Sequence, residues 1–220
     1  MPPSGSTRPG NWRRIVTFAA SLLVFGPTVA LATAEVDPAL LEKLATTMAA
    51  NYQHTDRFEA EVWLRASEQR LARFIDDHDE RLILLETVYR EASRTELDAD
   101  LILAVMQVES AFDRYAISRV GAQGLMQVMP FWRIEIGRPQ DNLTDMQTNV
   151  RYGTTILAHY LEISDGDLVD ALARYNGSRG KLKYPEKVVR AWRKVWHNKT
   201  TAELPALQSS CRNYGLVACR

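Results

Sequence analysis

An all-α fold follows from three features of this 220-residue sequence. Apolar residues recur at helical spacing along residues 38–196, alternation of period two is almost absent, and breaking residues are confined to short stretches. With 46% hydrophobic and 25% charged residues the composition is ordinary for a globular protein, enough for one domain with a sizeable core.

Residues 1–34 read as a leader. Arg8, Arg13 and Arg14 precede an uncharged stretch from Ile15 to Ala34, which Gly26-Pro27 interrupts and Ala32-Thr33-Ala34 closes in the small-x-small pattern of a cleaved secretory signal. An uncleaved inner-membrane anchor is the competing reading, and the central Gly-Pro with weakly apolar Ala and Thr argues against it. Cleavage after Ala34 directs the chain to the periplasm or out of the cell. It removes three arginines and no acids from a chain of zero formal charge, so nucleic acid is not an expected partner. No cysteine follows the apolar run, which disfavours a lipid anchor.

Residues 35–94 are predicted as a helical extension. Phe58, Val62, Trp63, Leu71, Phe74 and Ile75 mark one amphipathic segment, and Leu82, Leu85, Val88 and Tyr89 a second. Asp79, Glu80, Arg81, Glu86, Arg90 and Glu91 read as a solvated face. The extension either packs on the domain that follows or offers a docking surface to a cell-wall or secretion-machine protein. Residues 95–200 form the main domain. Leu101, Val105, Val108 and Phe112 share a helix face after the acidic Asp98 and Asp100. Further helices are predicted over 131–136, 145–161, 168–175 and 184–196, with at most a vestigial hairpin around Gly121 to Val128. In the tail, 201–220, Cys211 and Cys219 are the only cysteines, and an oxidising compartment favours their pairing. The four histidines are scattered without ligand spacing, so neither a metal nor a cofactor is expected.

Chemistry concentrates at Glu109. It follows Val105 by four residues, so its side chain leans over an apolar stripe, where desolvation keeps a carboxyl protonated near neutral pH. Spacing alone leaves open an idle glutamate at a helix end. By the same local reading Tyr175, Met126 and Met129 are core residues. Eleven residues after Ser110 and Phe112 begin to close the helix, an uncharged run opens: Gly121-Ala122-Gln123-Gly124-Leu125-Met126-Gln127-Val128-Met129-Pro130.

The ordered set Glu109, Ser110, Phe112, Ala116, Ser118, Gly121, Ala122, Gly124 to Pro130 resembles the lytic transglycosylase domain of glycoside hydrolase family 23, related in fold to goose-type lysozyme. Leu143-Thr144-Asp145, Asn149-Val150 with Gly153, and Ala173-Arg174-Tyr175-Asn176-Gly177 resemble that family's later motifs. The resemblance spans about residues 95–197. It implies a lysozyme-like catalytic domain acting on the glycan strands of peptidoglycan, with Glu109 as the catalytic acid. It also implies that Ser118 and Gln127 contact the sugar, that Met129 lines the cleft, and that Tyr175, beside Asn176, hydrogen-bonds near the acid. Departures are Arg119 and Met146 where prolines are common, Ile156-Leu157 where Tyr-Leu is usual, Arg174 before Tyr175, and Gly177-Ser178. They touch substrate preference more than the reaction.

Ordinary glycoside hydrolysis uses two carboxyl groups, and the matched motifs hold one. A lytic transglycosylase needs only one, because the sugar's C6 hydroxyl attacks C1 and closes a 1,6-anhydro ring while Glu109 serves as acid and then base. A goose-type muramidase and a non-catalytic wall-binding or assembly protein are the competing readings. A monomer is expected.

Overall fold

The computed structural model describes residues 57–197 together with residues 213, 214, 216 and 217. The expected leader and its cleavage site, the first part of the extension, and Cys211 and Cys219 lie outside the described residues. Seven α-helices follow in order: α1 (Arg57–Leu71), α2 (His78–Thr95), α3 (Ala99–Glu109), α4 (Trp132–Glu135), α5 (Met146–Ile163), α6 (Leu168–Tyr175) and α7 (Lys183–Ala191), which runs into a π-helical turn, Trp192–Trp196. Among the described residues the only β pairing is two isolated antiparallel bridges, Ile117 with Gln123 and Gln123 with Val128. The expected all-α class and the vestigial hairpin are both present.

One device sets most of the helix starts. Asp77, Asp98, Asp145 and Asp167 sit in extended conformation before α2, α3, α5 and α6, and each side chain accepts a backbone N–H of the first turn. An aspartate there satisfies a donor the helix leaves unpaired and places negative charge at its positive end.

Helix α3 is the axis of the domain. Leu101 to Met106 are all buried, and the helix packs against α2, α7 and the π turn, while α5 packs on α2 and α6. The π turn aims its two buried indoles at opposite ends of α3: Trp192 Nε1 donates to Asp98 (3.3 Å) and Trp196 Nε1 to Gln107 (2.7 Å). Each buried side chain of this size contributes on the order of 2 kcal/mol, so α3 is the best-anchored element that the site could use.

The core runs without a seam through residue 94, since Leu84, Leu85 and Val88 of α2 join the same cluster as Leu101 and Val105. Two details of the sequence reading need correction. Val62 is half exposed, so it does not belong to the apolar face of α1. Glu91 is not on a solvated face: it is 3% exposed and paired with Arg94 at 2.6 Å. Arg94 also donates to Thr155 Oγ1 (2.7 Å) and the Arg151 carbonyl (3.3 Å) of α5. The charge faces another helix, which a pattern local to α2 cannot register. In the tail, Leu216 is buried, the Tyr214 hydroxyl donates to Asp167, and the Val217 N–H donates to Glu186.

Candidate active site

Helix α3 delivers Glu109 at its last turn. The chain then reverses sharply, with Ala111 and Phe112 both in the left-handed region at φ 51° and 69°. Such backbone costs on the order of 1–3 kcal/mol per residue and persists only where surroundings enforce it. Phe112 supplies the enforcement: it is 4% exposed and packs on Phe74 and Trp196 with ring centroids at 5.0 and 5.4 Å. The Ser110 hydroxyl then ties the helix end to the glycine-rich loop by donating to the Leu125 carbonyl at 2.8 Å.

Burial pushes the Glu109 carboxyl up to about 7, against a smaller opposing effect from a hydrogen bond that Tyr184 donates to Oε1 at 2.6 Å. The side chain opens on a cleft of about 290 Å³ lined by Val108, Glu109, Asn176, Ser178, Tyr184 and three lysines, Lys181, Lys183 and Lys187. Glu109 is the only carboxylate in that lining. The arrangement holds a protonated acid near neutral pH with a phenol ready to stabilise the carboxylate it leaves behind.

The glycine-rich loop that Ser110 tethers is folded on itself. Ser118 Oγ accepts the Ala122 N–H (2.9 Å), and Gln127, left-handed at φ 49°, donates through Nε2 to the carbonyls of Ala116 (3.1 Å) and Gly124 (3.0 Å). From below, the buried Asn149 of α5 donates to the Gln123 and Leu143 carbonyls and accepts the Met126 N–H at 2.8 Å. From the side, the Tyr175 hydroxyl donates to the Met126 carbonyl at 2.7 Å.

These motifs belong to a known family. Residues 86–194 match the family model described as the transglycosylase SLT domain. The chain carries an SLT transglycosylase domain. Its relatives include the membrane-bound lytic murein transglycosylase C of Edwardsiella ictaluri, 35% identical, and that of Yersinia pestis (strain Pestoides F), 33% identical. In both cases 44% of this chain and 32% of the relative are covered. The chain thus spans about a third of the length of the curated relatives it matches. A crystal structure of an inactive mutant of the lytic transglycosylase Slt from Pseudomonas aeruginosa is 22% identical with a TM-score of 0.40, covering 74% of this chain and 36% of that one.

Within the SLT domain the residues singled out from sequence divide into two groups. Glu109 and Asn176 line the cleft. Ser118, Gln127 and Tyr175 spend the hydrogen bonds above on the glycine-rich loop itself, and Met129 is partly buried against the core. The Tyr175 hydroxyl bonds the loop, and the phenol on the acid is Tyr184. At Gly124 the backbone lies close to the Leu143 carbonyl and the Asn149 side chain, which a Cβ would strike. At Gly121 nothing lies near, and its φ of 89° is the reason for glycine. Sequence reasoning missed Tyr184 and gave Asn149 no role. The only available signal for Tyr184 was its place at the start of the predicted last helix.

Proposed function

We propose that this chain cleaves the β-1,4 bond between N-acetylmuramic acid and N-acetylglucosamine in peptidoglycan, leaving 1,6-anhydro ends. The observation that carries the reading is the single buried acid in its cleft. Glu109, with its pKa near 7, is the proton donor to the glycosidic oxygen, and the C1–O bond breaks as the proton transfers. The sugar's own C6 hydroxyl attacks C1, and its proton passes to the Glu109 carboxylate, which restores the acid. Tyr184 stabilises the intervening carboxylate by the hydrogen bond it already makes. A hydrolytic route calls for a second carboxylate to activate water, and no other carboxylate lines the cleft. The loop residues Ser118 and Gln127, with Met129, shape the sugar-binding wall, while Tyr175 and Asn149 fix its position.

The family match and the names of the relatives, lytic murein transglycosylases, support peptidoglycan as substrate. The leader-like residues 1–34 support action in the periplasm. The deciding experiment is mass spectrometry of sugars released from purified sacculi by the purified chain. Anhydro-muropeptides are the expected product. Reducing-end products establish a hydrolase instead, and no release at all, with binding retained, establishes a wall-binding module. In the same assay Glu109→Gln is expected to release nothing, because an amide keeps the shape and lacks the proton.

A further inference from the structure

Beyond the acid's cleft the surface changes character. Between Lys183 and Trp196 the chain has five basic residues and one acid, although its formal net charge is zero. Lys183, Lys187, Arg190 and Lys194 recur at spacings of four, three and four, which sets them on one face of α7 and the π turn over roughly 16 Å. All four are exposed. Arg190 reaches Glu186 only at 4.0 Å, and that carboxylate also accepts the Val217 N–H. Among the described residues no carboxylate lies within ion-pair distance of Lys183, Lys187 or Lys194. A second groove of about 410 Å³, holding Lys187, Arg190 and Lys194, continues from the acid's cleft and shares Val108 and Lys187 with it. A strand that places a glycosidic bond at Glu109 therefore has the lysines beside it.

We infer that this basic face is a subsite for the carboxylates of the peptide stems that peptidoglycan strands carry, so that the enzyme prefers stem-bearing glycan to bare glycan. The inference rests on the function proposed above. Charge complementarity selects the occupant: the sugar backbone of the polymer is neutral at its hydroxyls and N-acetyl groups, whereas the stems end in free carboxylates. Continuity with the acid's cleft favours a group attached to the substrate over a separate anionic surface. Arg190 and Lys194 line the second groove and not the acid's cleft. Their removal therefore changes substrate capture and leaves the proton chemistry alone.

The test compares the full chain with an Arg190→Gln, Lys194→Gln double variant, whose residues lie outside the lining of the acid's cleft, on two substrates: intact glycan strands, and strands stripped of peptides by an amidase and capped as amides at the lactyl carboxylates so exposed. Exposed charge pairs are each worth roughly a 1.5- to fivefold effect, so with two charges removed KM on stem-bearing strands is expected to rise about two- to twentyfold. On stripped strands KM, and on both substrates kcat and the pH profile, are expected to stay as in the wild type. Charge-keeping changes at the same two positions, Arg190→Lys with Lys194→Arg, are expected to retain the preference, and salt is expected to weaken it in the wild type alone. Equal KM on the two substrates for the wild type overturns the subsite while the proposed function stands. Equal loss on both substrates overturns it as well, since that is a general effect on the cleft. Loss of binding to phosphatidylglycerol vesicles, with no stem dependence, assigns the face to a membrane and overturns the proposal. A wild type that cuts neither substrate overturns the function itself.

Discussion

At Glu109 the cost of keeping an acid out of water makes a prediction about stability. Its folded pKa of about 7 lies above the ordinary 4.5, so the native state holds the proton more tightly than the unfolded chain does. That advantage is complete below about pH 4.5 and is lost as pH rises through about 7. It corresponds to roughly 3 kcal/mol at most, less whatever solvent contact screens. Glu109→Gln carries no such penalty, so its Tm is expected to match the wild type near pH 4 and to exceed it by on the order of 5–10 °C near pH 8. Thermal unfolding across that range checks this, and a constant difference at all pH values removes the buried acid from the account. Activity follows the same protonated form: kcat/KM falls as pH rises through about 7, because the donor must hold its proton. Tyr184 donates to the carboxylate form and so pulls the pKa down. Tyr184→Phe is therefore expected to move that alkaline limb to higher pH and to lower kcat roughly tenfold, read from the pH–rate profile. The acid's burial was legible from its i−4 neighbour Val105. Its partner was not, because the two are 75 positions apart and periodicity speaks only of nearby residues.

Between elements, the glycine-rich loop has too little sheet structure to hold its own shape, and neighbouring helices impose it. Asn149 from α5 supplies two hydrogen bonds, Tyr175 from α6 a third, and Ser110 at the end of α3 a fourth. Asn149→Ala leaves the Met126 N–H and the Leu143 carbonyl without the partner they have in the wild type, in a buried place, at a cost of about 2–4 kcal/mol. The expected result is a Tm lower by several degrees and faster amide exchange at Met126 and Val128. Exchange as slow as in the wild type would mean that the loop is self-supporting. The helices themselves were readable, and α6 begins and ends at the predicted residues, because an aspartate cap and an apolar stripe are both local signals. The loop's hydrogen-bond partners were not readable. Ser118 and Gln127 look the same in sequence whether they face a sugar or their own backbone, and only the fold distinguishes the two. The same limit applies to Gly124, whose lack of a Cβ answers to Leu143 and Asn149.

For the whole molecule, the sequence suggested a catalytic domain beginning near residue 95 with an extension that packs on it or docks a partner, and the apolar core is continuous across that point. A chain that begins at Thr95 loses Leu84, Leu85, Val88 and Ala92 from the cluster around α3. At roughly 1.5–3 kcal/mol for each of the larger side chains, this loss is comparable to the entire 5–15 kcal/mol by which a domain is stable. It also removes Glu91 and Arg94, whose ion pair is bonded to Thr155 and the Arg151 carbonyl of α5. A fragment of residues 95–220 is thus expected to bind a hydrophobic dye and melt without a cooperative transition. A fragment of residues 57–220 keeps α1 and α2 and is expected to melt cooperatively. The buried pair gives a finer version of the same test. Arg94→Met takes from the buried Glu91 carboxylate its 2.6 Å partner, leaving the half-exposed Arg90 at 3.5 Å, and is expected to cost about 3 kcal/mol, whereas Arg94→Met with Glu91→Leu removes both charges together and is expected to recover most of that loss. Denaturant unfolding of the two variants checks this. If the double variant is no more stable than the single one, the pair acts through its bonds to α5, and helix α2 is held to the domain by Arg94 more than by its apolar face.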